Sequence, residues 1–125
     1  MGETFNRKGK TDILVREKDK NLFIGECKIW KGADGITEAI NQLLSYLTWR
    51  DTKAALVVFV KRKSIDGPLR QIMETVEAHE CVKRVEEKGE GQQRFVFGKP
   101  EDPGREIILT VMVFHIPPLD AADDV

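Results

Sequence analysis

Cysteine is scarce in this chain, with two among 125 residues, Cys27 and Cys81. Their spacing fits no zinc pattern, which starts from a close Cys pair. Both fall in or beside apolar stretches. They are expected to be reduced and buried, as in a cytoplasmic protein. No apolar run approaches the roughly 20 residues that a membrane helix needs, so no membrane association is expected. The N-terminus lacks the apolar region of a signal peptide. The chain also has no Gly-rich phosphate loop after a strand and no GxSxG elbow. His79 and His115 have no partner at ligand spacing and read as structural or exposed. There is no internal repeat. A net charge of −1 excludes a uniformly basic nucleic-acid binder.

The remaining composition is that of a soluble domain. Apolar residues make up 41% and charged residues 33%, both ordinary values. The length suits one core, so residues 1–118 are expected to form a single domain. Residues 119–125 read as an acidic disordered tail. The basic residues cluster in the sequence. Arg7, Lys8 and Lys10 lie at the front, Lys31 follows an apolar stretch, and Lys61, Arg62 and Lys63 follow another. Such runs are usually solvated surface. Flanking a carboxylate site, they would supply phosphate contacts, the main source of non-specific nucleic-acid affinity.

Periodicity gives a coarse element order. Thr4 to Arg7 can form a short strand. Thr11 to Glu17 and Leu22 to Trp30 read as a hairpin around a turn at Lys18 to Asn21. Gly32 to Gly35 breaks the chain, with Asp34 or Gly35 as N-cap. Ile36, Ile40, Leu43, Leu44 and Leu47 then recur at helical spacing, predicting a helix to about Arg50. Ala54 to Val60 is an apolar run, predicted as a strand buried on both faces. Ser64 is positioned to cap a second helix, with Pro68 early in it and Leu69, Ile72, Met73 and Val76 as its apolar face. Strands follow at Cys81 to Glu87, alternating strictly, at Arg94 to Phe97 and at Glu106 to His115. A turn is expected at Lys88 to Gly91, and Pro117 and Pro118 end the last strand. The order β-β-α-β-α-β-β-β predicts an α/β domain with a mixed sheet. The hairpin should be antiparallel, and the helical crossover should be parallel and right-handed.

The segment from Gly9 to Tyr46 carries the chemistry. Asp12 opens the first apolar strand, Glu26 and Lys28 sit two apart on the next, and Gln42 and Tyr46 sit four apart on the helix. Ionised groups on buried strands are costly without partners. A divalent metal between the carboxylates, with the lysine aimed at a substrate anion, would satisfy all three. Each element also has a bland reading taken singly. An Asp at a strand start caps turns, a Glu and Lys two apart can sit on an exposed edge, and a Gln with a Tyr four later is common on helices.

In order and spacing, these residues resemble the PD-(D/E)xK superfamily of restriction-endonuclease-like nucleases. Asp12 matches the family's metal-binding aspartate and Glu26-Cys27-Lys28 its (D/E)xK element. Gln42 and Tyr46 match the QxxxY element of its exonuclease and Holliday-junction-resolvase branches. The resemblance runs from Gly9 to roughly Lys61. It implies a restriction-endonuclease-like mixed sheet flanked by helices, and a nuclease using Mg2+ or Mn2+ to hydrolyse phosphodiester bonds in DNA, with RNA as a second candidate. Many members carry a further acidic residue on a helix before the first core strand, and only eleven residues precede Asp12 here. Either that helix is short or lost, or the chain is part of a longer protein. Other domains of such a parent, or a second copy of the chain, are then candidate partners. The rival expectation is a nuclease-like domain that no longer cleaves and serves as a binding or scaffold module.

Side chains alternate across a strand, so Glu26 and Lys28 share a face, about 6.6–6.8 Å apart, and Cys27 points away. Asp12 and Glu26 are the expected metal ligands, with the backbone carbonyl of Cys27 as a third. Lys28 would orient water or stabilise charge on phosphate. Gln42 would contact a nucleotide or the ligand shell, and Tyr46 would bond phosphate or stack on a base. Lys10, Lys31, Lys61, Arg62 and Lys63 are the candidate nucleic-acid contacts. Asp12 and Glu26 can share an ion only if paired residues in the hairpin sum to an even number. A sum of 38 places Leu14 opposite Ile24 and Val15 opposite Phe23.

Overall fold

A computed structural model describes residues 2–3, 13–17, 20–46, 53–99 and 101–118. Among them the strands are β1 (Gly2–Glu3), β2 (Ile13–Glu17), β3 (Lys20–Ile29), β4 (Lys53–Val60), β5 (Val82–Gly89), β6 (Gln92–Lys99) and β7 (Asp102–His115). Helix α1 (Ala33–Tyr46) joins β3 to β4, and α2 (Asp66–Glu77) joins β4 to β5. The chain is an α/β protein with a single mixed sheet.

The strands lie in the order β1-β2-β3-β4-β7-β6-β5. At one end β1, β2 and β3 form an antiparallel meander. At the other, β7, β6 and β5 do the same. Between them β3, β4 and β7 run parallel. The predicted antiparallel hairpin and parallel crossover are both present.

Both helices cover one face. α1 packs on α2, β3 and β4, and α2 reaches β5. The core combines Ile36, Ile40 and Leu43 of α1 with Ile72 and Val76 of α2. Beneath them lie Leu56, Val58, Phe95, Phe97, Leu109 and Val111 of the sheet. Burying each such side chain fully is worth about 1.5–3 kcal/mol. The side chains of β4 that face the helices, Ala54, Leu56, Val58 and Val60, are all buried. On the opposite face Ala55 is buried but Val57 and Phe59 are only half-buried, so β4 is enclosed on both sides only at its start.

Several boundaries differ from the sequence reading. Strand β3 begins at Lys20, which shortens the expected turn. Helix α1 starts at Ala33, so Asp34 and Gly35 lie in its first turn and do not precede it. The N-cap of α2 is Ile65, in helical conformation at φ −98 and ψ −17 with no side-chain cap, so Ser64 does not cap it. Strand β5 carries two irregularities, between Val82 and Arg84 and between Val85 and Glu87. Bulges of this kind break strict alternation, and Val82 and Val85 both pack against the core. The chain turns from β5 to β6 at Glu90 and Gly91, with Gly89 opposite Gln92. The expected strand at Thr4 to Arg7, the last helical residues to Arg50 and the acidic tail lie outside the described residues.

Candidate functional site

Strand β3 sets the site. Glu26 pairs laterally with Leu56, and Leu56 with Val111. Both of those belong to the core, so Glu26 faces the helices. It is 7% exposed, the sole buried charged residue among those described. One carboxylate oxygen, Oε1, is buried with no hydrogen bond, although the residue interacts elsewhere. Lys28 follows on the same face beside Val58 and is half-buried. Cys27, between them, points to the opposite face as expected. Its sulfur is in no disulfide and the residue is half-buried, as is Cys81.

Helix α1 supplies the other wall. Ile36, Ala39, Ile40, Leu43 and Leu44 form its buried stripe. Gln42 and Tyr46, one turn apart, stand half-buried at its border. Lys28, Gln42, Asn41, Glu38 and Ser45 line one open cavity of about 390 Å3. The structure therefore brings Lys28 and Gln42 together. Glu38 was not foreseen, although it lies one turn before Gln42, and the series Glu38, Gln42, Tyr46 at steps of four was visible in the sequence.

Asp12 and Lys10 lie outside the described residues. The hairpin register beginning at Ile13 is even. Ile13 pairs with Gly25, Leu14 with Ile24 and Val15 with Phe23, each summing to 38. Beyond a shift between Val15 and Arg16, Glu17 pairs with Lys20. A bulge joins this even register to the odd one in which Arg16 pairs with Asn21 and Glu17 with Lys20.

The donor chemistry of Glu26 suits a hard cation such as magnesium, which takes carboxylate oxygens. Among the described residues, no group of three or more His, Cys, Asp or Glu is placed to hold a metal.

The basic residues fall in two places. Lys31 is exposed after β3. Lys61 and Lys63 are exposed and Arg62 is half-buried in the loop between β4 and α2. That loop is pinned by its neighbours. His115 Nε2 donates to the Arg62 carbonyl at 2.6 Å, and the Arg62 guanidinium carbon stands 5.1 Å over the Trp30 ring.

Compared with protein-family models, with curated proteins and with solved structures, the chain has no match. No helix among the described residues is long and apolar enough to cross a membrane.

Proposed function

We propose that the chain is a nuclease domain of the restriction-endonuclease-like kind, hydrolysing phosphodiester bonds in DNA. The observation that carries the reading is the buried carboxylate of Glu26 on one face with Lys28, beside the helix that presents Gln42. A buried acid and a neighbouring lysine on a core strand are unfavourable for stability alone, and phosphodiester chemistry uses both. The topology is in keeping with it, with an antiparallel meander, then a helix, then a strand parallel to β3. In this reading Asp12, Glu26 and the Cys27 carbonyl would hold Mg2+ or Mn2+. The ion would polarise the phosphoryl group and acidify a bound water. Lys28 donates hydrogen bonds to phosphate oxygen as charge develops there. Gln42 and Tyr46 orient the strand, and Lys10, Lys31, Lys61, Arg62 and Lys63 hold its backbone by charge.

The test is incubation with linear, circular and branched DNA in magnesium, manganese or chelator. Chelator-sensitive cleavage, abolished in Glu26→Gln and Lys28→Ala, is the expected result. No cleavage of any substrate in either metal would leave the second reading.

That second reading is a binding or scaffold module without cleavage. One observation favours it. Ile29, Phe59 and Phe114 sit side by side on the face away from the helices. Ile29 and Phe114 are each 49% exposed, and the Phe59 and Phe114 rings stack at 5.9 Å. Contiguous exposed apolar surface of this kind marks interaction sites.

A further inference from the structure

A cavity larger than the one beside Lys28 lies elsewhere in the described structure. It is an open cleft of about 720 Å3 at the C-terminal ends of β3 and β4, lined by Trp30, Arg62, Lys63 and Arg70 among others. In α/β sheets, ligands collect outside the carboxyl ends of the parallel strands. The volume falls within the usual range of about 300–1,000 Å3 for a small-molecule site.

Its lining has a definite chemistry. Three cations, Arg62, Lys63 and Arg70, face one carboxylate, Glu74. The cavity is therefore electropositive although the chain as a whole carries −1. Arg62 is held at both ends. Its carbonyl accepts from His115, and its guanidinium lies over Trp30. A guanidinium fixed over an indole keeps its outer face for stacking and its N–H edges for an anion. Trp30 Nε1–H is buried and has no hydrogen-bond partner in the protein. A buried donor left so is rare and costs roughly 1–3 kcal/mol.

We propose that this cavity binds a nucleoside monophosphate unit, with the base against the Arg62–Trp30 pair and the phosphate among Arg62, Lys63 and Arg70. Cations alone would suit inorganic phosphate. The aromatic wall and the volume call for a planar group attached to it. The unit is either a free nucleotide or the phosphorylated end of a strand. The pocket is built from residues other than Glu26, Lys28 and Gln42. It shares only Arg62, Lys63 and the nucleic-acid substrate class with the nuclease reading, and it rests on that reading to this extent.

The experiment is calorimetric titration of the full chain in chelator, where no metal-dependent step contributes. The probes are AMP, adenosine, inorganic phosphate, and a short single-stranded DNA with and without a 5′-phosphate. AMP should bind saturably, at least about tenfold tighter than adenosine or phosphate. Arg62→Ala and Arg70→Ala should each weaken AMP by about tenfold or more, the loss of one charge-assisted contact. Both changes remove exposed or half-exposed side chains, and circular dichroism confirms folding. Glu26→Gln should bind AMP as the parent does. Preference for the 5′-phosphorylated strand, competed by AMP, identifies a strand end as the ligand. AMP binding with no strand preference identifies a free nucleotide. Absence of saturable AMP binding, or binding indifferent to Arg62→Ala and Arg70→Ala, overturns the pocket. Cleavage activity is read separately. An active nuclease that binds no AMP refutes the pocket alone, and Arg70-dependent AMP binding in a chain that never cleaves refutes the nuclease reading alone.

Discussion

His79 donates from Nε2 to Oδ1 of Asn41 at 2.8 Å, tying the end of α2 to α1. The tautomer follows from the other nitrogen. Nδ1 accepts the backbone N–H of Cys81 at 3.0 Å, so it carries no proton. The neutral ring is thus satisfied on both sides, and a second proton would break the Cys81 bond. Burial pulls the imidazole below its ordinary value of 6.5, against the smaller upward push of the Glu80 carboxylate.

A pH dependence follows. A pKa lowered on folding means that the unfolded chain takes up the proton first. The contribution of His79 is present in full above the ordinary value of 6.5 and is lost as pH falls through the lower folded value. Thermal unfolding of the parent and of His79→Gln, followed from neutral pH downward, should give curves that converge as the pH drops below that value. Curves that stay parallel would show that the ring does not titrate in this way.

The sheet core makes a second expectation. Phe97 is fully buried on the helix-facing side of β6, beside Ile107. His79 lies against its ring at 5.4 Å. Phe97→Ala should destabilise the fold by about 3–5 kcal/mol. That is a large share of the roughly 5–15 kcal/mol of a typical domain. Denaturant melts of the two proteins measure it. A loss below about 1 kcal/mol would mean that the site collapses around the smaller side chain.

How far these features could be read beforehand depends on whether the signal is local. Strand β4 was legible because AALVVFV is β-branched and apolar. The face shared by Glu26 and Lys28 follows from the pleat. The start of α1 was missed because Gly35 looks like a breaker. A glycine costs a helix only about 1 kcal/mol, and packing of Ile36 and Ile40 into the core outweighs it. The faces of β5 were misjudged because bulges leave no simple mark in VKRVEEKG. The Trp30 cavity was illegible for another reason. Trp30 is remote in sequence from Arg62 and Arg70, and they meet only because the parallel crossover through α1 brings the ends of β3 and β4 to one end of the sheet.

The hairpin between β5 and β6 turns on Gly91, whose φ of +75 lies in the left-handed region. A Cβ there would meet the Val113 carbonyl oxygen at an ordinary 3.6 Å, so the penalty is in the backbone rather than in a clash. Gly91→Ala should lower stability by about 1–2 kcal/mol, with Gly91→Asn less costly. Equal stability of all three proteins in denaturant melts would show that the turn relaxes to another form.

Lys28 and Gln42 share a cavity but should act differently. In the proposed nuclease, Lys28→Ala would remove charge stabilisation that matters most in the transition state. It should lower kcat by about 10²–10³-fold with metal affinity kept. Gln42→Ala should act mainly on KM, because an amide positions the strand in ground and transition states alike. Steady-state rates on linear DNA separate the two. A Lys28→Ala enzyme with the parental kcat would remove the lysine from the chemistry.

The hairpin register leads to the sharpest expectation about the carboxylates. Ile13 opposite Gly25 is the register in which Asp12 and Glu26 would share a face. If both hold one ion, the two residues are coupled. Removing either leaves a site too weak for the other to rescue, so their effects cannot add. Magnesium at about 100 times its Kd should stabilise the parent by about 2.7 kcal/mol. Asp12→Asn and Glu26→Gln should each abolish most of that gain, and the double variant should lose little more than either single one. Thermal melts with and without magnesium measure all four proteins. Additive losses in the double variant would mean that the two carboxylates act at separate places, and a gain retained in Asp12→Asn would leave Glu26 without its partner in metal binding.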